Sequence, residues 1–148
     1  MKKRNRWILV SALLGLFLSG CKQTTFEPSP YKPSDLNTLS GVTMETEEAS
    51  YPTDVEVMTV TITNKTIEEL YYGVAFSVEY LDGNDWVVFP FEEEMAWIEI
   101  ALPLDADTTN TEEIDMTLLQ DNLEPGTYRI IKDIAGKTLT AEFEIETE

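Results

Sequence analysis

The chain has 148 residues, 43% of them hydrophobic, and 28 acidic against 10 basic side chains give it a net charge of -18. That length suits one domain with a buried core, and that acidity disfavours nucleic acid and anionic lipid headgroups as partners. There is no histidine and only one cysteine, Cys21, which excludes Ser-His-Asp and Cys-His catalysis, histidine-bearing zinc sites and an internal disulfide.

The N-terminus places Lys2, Lys3, Arg4 and Arg6 ahead of an apolar run from Trp7 to Leu18, the charged-then-apolar order of a secretory signal. As a helix the run would rise about 18 Å, short of the roughly 30 Å hydrocarbon core, so a spanning helix is not predicted. Leu18-Ser19-Gly20-Cys21 resembles the bacterial lipoprotein signal box. The resemblance implies cleavage before Cys21, a diacylglyceryl thioether on that cysteine, and a protein held on the cell membrane facing away from the cytoplasm. Residues 1–20 are then the signal peptide. The chain after Cys21 holds 6 basic and 28 acidic residues, a net charge of -22.

Residues 21–40 are rich in Pro, Ser, Thr and Lys, with Pro28, Pro30 and Pro33 closely spaced. They read as a lipidated, flexible tether that could extend on the order of 60 Å. From residue 41 the hydrophobic period becomes two, the mark of strands with one buried face. Val42 and Met44 begin a first strand, and Met58, Val60 and Ile62 alternate with threonines in a second. Tyr72, Val74, Phe76, Val78 and Tyr80 form the longest alternation, read as the central strand. Asp82-Gly83-Asn84-Asp85 makes a hairpin turn, and Trp86 to Phe91 follows as a strand that Pro90 limits to a sheet edge or strand end.

Beyond the acidic Glu92-Glu93-Glu94 loop, Ala96, Ile98, Ile100 and Leu102 predict another strand with Trp97 and Glu99 on its opposite face. Residues 105–110 read as a polar loop, then Ile114, Met116 and Leu118 as a strand, and 119–124 as a helical turn. Pro125-Gly126-Thr127-Tyr128 turns into the strand 128–132, and Leu139, Ala141, Phe143 and Ile145 form the last one after a turn at Gly136-Lys137. Short strands at this spacing predict an all-β, antiparallel sandwich of about 7–8 strands over residues 41–148.

Leu123-Glu124-Pro125-Gly126-Thr127-Tyr128-Arg129 resembles the corner of an immunoglobulin-like sandwich. With Val60 to Asn64, Tyr72-Gly73, Phe76, Trp86 and Pro90-Phe91, it is similar to a family of bacterial Ig-like domains found mainly on exported lipoproteins of Gram-positive bacteria. The resemblance implies a structural corner at Pro125, Gly126 and Tyr128, with the tyrosine bonding to upstream backbone. Without a disulfide to pack on, Trp86 or Trp97 would need an aromatic or aliphatic bed. The family brings no activity.

The remaining constellations are weak. Adjacent glutamates at 92–94 point in different directions and stay solvated, a poor start for a two-carboxylate hydrolase. Asp82, Asn84 and Asp85 lack the pattern of a calcium loop, and the same holds for Asp105 and Asp107. No catalytic, cofactor or metal residue is assigned. Trp97 and Tyr71 are the candidate partner contacts, aromatic side chains on a polar strand face. The expectation is a non-enzymatic, lipid-anchored binding or envelope-accessory module, its partner an envelope protein or a glycan. A loop-mediated inhibitor of another enzyme and a carboxylate hydrolase are the alternatives.

Overall fold

Residues 26–147 are described by a computed structural model, in which period-two patterning lays the chain out as ten strands. They are β1 (Val42–Thr46), β2 (Ser50–Pro52), β3 (Val57–Asn64), β4 (Leu70–Tyr72), β5 (Ser77–Asp82), β6 (Asp85–Phe89), β7 (Leu102–Leu104), β8 (Thr108–Asp115), β9 (Gly126–Ile134) and β10 (Lys137–Glu146). One sheet has the order β1-β3-β8. The other runs β2-β10-β9-β4-β7, with β5 on β9 and β6 on β5. All pairs are antiparallel except β2 on β10. Together the sheets form the predicted all-β sandwich.

Inward side chains of both sheets fill the core: Met58, Val60 and Ile62 from β3, Tyr128, Ile130 and Ile134 from β9, Leu139, Phe143 and Ile145 from β10. Two hairpins carry the turn chemistry of their residues. Gly83 supplies positive φ at the first of two central positions between Asp82 and Asp85, the residue pattern of a II′ turn, and Ala135 and Gly136 are both positive in φ, the I′ pattern.

Three expectations need correction. The central strand is broken: β4 ends at Tyr72 and β5 begins at Ser77, because Lys132 takes the carbonyls that would otherwise continue the ladder. Residues 96–101 form no strand, since the segment beside them is that interruption. The helical turn comes earlier, as a 3-10 turn over Met116–Leu118 capped by the Asp115 side chain, while β8 begins inside the expected polar loop. Split and added short strands raise the count from eight to ten.

A fourth correction concerns the tether. The expected signal peptide at 1–20, Cys21 and residues 22–25 lie outside the described residues, but 26–40 are laid on the sandwich. Glu27 to Ser29 pair antiparallel with β6: Val88 N donates to Glu27 O at 2.7 Å and Ser29 N to Trp86 O at 2.8 Å. The strap then crosses the outer face of the larger sheet to β10, where Asn37 N donates to Thr138 O and its side chain bonds Thr140 twice. Proline suits this role, since an edge position leaves its missing N–H uncounted. Phe26 and Leu39 supply apolar contact.

Candidate functional site

The break in the central strand is built around a buried lysine. Lys132 sits in the inward phase of β9 between Ile130 and Ile134, and its side chain is wholly buried. Its ammonium donates to Gly73 O and Ala75 O, both at 3.1 Å, and to the Glu112 carboxylate at 3.0 Å. Burial pulls its pKa below the ordinary lysine value, and Glu112 on β8 partly restores it. Three oxygen acceptors for three N–H donors make this a complete set, so the residue closes the bulge and pins the facing sheets together.

Opposite the bulge, the chain between β6 and β7 makes an excursion over residues 90–101. It leaves a groove of about 670 Å³ lined by Gly73, Val74, Ala75 and Trp97 to Ala101. Trp97 is not on a polar strand face: its ring packs on Phe76 (5.1 Å) and Phe91 (5.8 Å), the aromatic bed that a sandwich without a disulfide requires. The residues that do face water are Ile98, 68% exposed, and Ile100, 45% exposed. Tyr71 lies on β4, half exposed, its hydroxyl bonded to Glu69, which raises its pKa. Nearby in the loop before β4, Ile67 is 96% exposed.

On the outer face of the larger sheet, beneath the strap, lies a cluster that the alternation conceals. Glu79 and Arg129 are cross-strand partners on β5 and β9. Arg129 donates Nε and Nη2 to one oxygen of Glu79, at 2.8 and 2.6 Å, and its guanidinium lies 4.1 Å from the centre of the Trp86 ring. Both charged side chains are buried. Tyr31 of the strap stands close enough to Glu79 and Asp133 that they add to burial in raising its pKa.

The corner residues meet at the start of β9. Tyr128 is buried and its hydroxyl donates to Glu124 O at 2.8 Å, four residues upstream. Burial is the main cause that pushes this phenol up to about 12. Gly126 lies under Tyr80, whose ring edge stands 2.7 Å from where a Cβ would be. Pro125 is exposed in the approach.

The acidic candidates are scattered. Glu92, Glu93 and Glu94 are exposed, as are Asp82, Asn84 and Asp85 at the hairpin and Asp105 and Asp107 beyond β7. Among the described residues no group of three carboxylate, histidine or cysteine side chains is placed to hold a metal ion. Sequence reasoning missed Ile98 and Ile100 by assigning them to a buried strand face. It also passed over Lys132, although a charge in the inward phase of β9 was the signal that could have found it.

Comparison with known proteins gives one family and several distant folds. The profile described as bacterial Ig-like domain matches residues 38–144. Among solved structures the chain is similar to the Pseudomonas fluorescens alkylpurine DNA glycosylase AlkC bound to DNA containing an abasic site analog, at 17% identity and a TM-score of 0.41, covering 77% of this chain and 33% of that one. It is similar to Spo0M, a sporulation control protein from Bacillus subtilis, at 13% and 0.46, covering 74% and 50% respectively. A beta-glucosidase from Listeria innocua in complex with gluconolactone follows at 13% and 0.34, covering 70% and 16%. This chain spans at most half the length of these three proteins. No curated protein matches it.

Proposed function

We propose that this chain, which belongs to the bacterial Ig-like domain family over residues 38–144, is a non-enzymatic binding module held on the outer side of a cell membrane by lipid on Cys21. The observation that carries the module half of the reading is the distribution of polar chemistry. Lys132 spends its three donors, and Arg129 its Nε and Nη2, on internal acceptors, while the carboxylates outside these two clusters are mostly exposed. What the surface offers instead is apolar and aromatic contact, with Tyr71 and Ile67 exposed at the β3–β4 end. A protein or glycan of the envelope is the partner class.

The anchoring half rests on Leu18-Ser19-Gly20-Cys21 and the basic, then apolar, run before it. Two acyl chains suffice for stable attachment where one does not. Cys21→Ala is expected to release the protein from the membrane fraction or leave an uncleaved precursor; processing and retention like the parent's would refute the anchor. For the module, residues 26–148 serve as bait in solubilised envelope beside a Tyr71→Ala, Ile67→Ser control. A component retained by the parent, lost by the control and bound again after purification is the expected result. Equal retention by both would remove that end as the contact surface.

A further inference from the structure

From the docked strap we infer that the loop of residues 92–101 faces the bilayer through its exposed Ile98 and Ile100, and that its occupant is a lipid surface of zwitterionic or neutral headgroups. The inference rests on the lipid-anchor reading of Cys21 and adds to it an orientation.

The distance follows from where the described chain begins. Phe26 is already in place, its ring stacked on Phe89 at 5.5 Å, so five residue steps separate it from Cys21. Fully extended, five steps reach at most about 17 Å. The long stalk that the composition suggests is therefore absent, and the domain sits against the membrane to which Cys21 is attached.

The direction follows from the pairing. Glu27 to Ser29 run antiparallel to β6, so at Phe26 each step toward the N-terminus is a step along β6 toward Pro90. Phe91, two residues beyond Phe89, packs on Trp97 at 5.8 Å. At its first described residue the strap thus heads toward the excursion, which lies on the same edge of the sandwich as Phe26. That edge carries Ile98 and Ile100, both exposed, and the open groove beside Val74 and Ala75. Exposed isoleucines that a short link holds at a bilayer are buried there.

Charge selects the headgroup. Glu92, Glu93, Glu94 and Glu99 border the isoleucines, and carboxylates are repelled from an anionic surface within a Debye length. The occupant fitted to this edge is a net-neutral lipid surface.

The test uses the lipidated protein purified from membranes and reconstituted in phosphatidylcholine vesicles, with its lipid confirmed by mass and its attachment by flotation. With Cys21 acylated, Ile98→Cys provides the free thiol for a nitroxide, and Glu45→Cys, exposed on β1 across the sandwich, is the control. Expected is a label at 98 that oxygen relaxes and an aqueous nickel chelate does not, and a label at 45 open to the chelate. Inserting about ten Gly/Ser residues before Phe26, some 17 Å of added root-mean-square reach, should abolish the contrast at 98 without changing flotation. Raising phosphatidylglycerol to about a third of the lipid should lower it.

A label at 98 open to the chelate in protein that floats overturns the orientation while leaving the anchor intact. Missing lipid mass and failure to float overturn the anchor itself, and the orientation with it. Strong dipolar coupling between labels at 98 at low protein density would assign the patch to a second copy. A contrast that grows with anionic lipid would overturn the neutral-surface assignment.

Discussion

Replacing Lys132 by Met keeps an unbranched stem out to Cε, with sulfur in place of Cδ, and removes the ammonium, which makes it a direct measure of what closes the central bulge. Two carbonyls, Gly73 O and Ala75 O, lose their donor, at about 1 kcal/mol each. Glu112, with its side chain 15% exposed, keeps a charge without a partner, worth about 1–3 kcal/mol. Against this, the variant no longer desolvates an ammonium, the dominant cause of the lowered pKa. The net loss is about 3 kcal/mol. In urea, where the slope for a domain of this size is about 2 kcal/mol per M, the unfolding midpoint should fall by about 1.5 M.

The soluble chain from residue 22 is the material, with fluorescence and circular dichroism as probes. Adding Glu112→Gln removes the stranded charge and should recover about 1 kcal/mol, since neighbours sharing one network are not additive. The parent also has a pH signature. Because the folded pKa of Lys132 lies below 10.5, the unfolded state binds more protons between the two values, and this group makes stability rise with pH there. The Met variant lacks that rise. An unchanged midpoint, or a double variant less stable than the single one, would refute the role given to Lys132.

Tyr128→Phe should remove the bond to Glu124 O and cost about 1 kcal/mol at neutral pH. Because the folded phenol is raised to about 12 from 10.0, its contribution is present below pH 10 and lost as pH climbs to about 12, on the order of 1–2 kcal/mol once solvent screening is allowed for; alkaline denaturation of the variant should lack this step. Gly126→Ala drives a Cβ to within 2.7 Å of the Tyr80 ring, which itself packs on Tyr128 at 5.0 Å, so a loss of about 1–3 kcal/mol in thermal unfolding is expected. Asn37→Ala breaks the paired bonds to Thr140 and should speed proteolytic cleavage within residues 26–40 while the core midpoint moves by no more than about 1–2 kcal/mol.

Where burial alternates residue by residue, the sequence showed the strands with their faces. β3 alternates throughout and β10 from Ala141 onward, and their inward faces are the ones expected, whereas β9 buries Arg129 and Ile131 on its outer face and carries Lys132 in its inward phase. Failures came where a single side chain overrides periodicity. The alternation from Tyr72 to Tyr80 is real as a pattern, yet one ammonium from β9 captures two of its carbonyls and breaks the strand. The alternation from Ala96 to Leu102 then has no partner strand and turns outward. Neither event is legible locally, because the cause is sixty residues away in the chain. The strap was misread for a related reason: its prolines preclude ladder donors, but an edge needs few donors, and Asn37 and Phe26 do the docking.

The same geometry separates what stabilises this domain from what it can touch. Arg129, Trp86 and Glu79 have the chemistry of a ligand site, a guanidinium on an aromatic face beside a carboxylate. Yet Nε and Nη2 of Arg129 are committed to Glu79 and one guanidinium face to Trp86, and the strap crosses above them, so the cluster serves as a seat for residues 28–33. A buried pair of this kind adds little net energy but punishes disruption, which suits a seat that must hold one alignment. If Cys21 carries lipid as proposed, the strap, which ends at Phe26 beside Phe89, would bias which loops can meet the bilayer. Residues inserted before Phe26 would alter that choice without changing a single contact inside the sandwich.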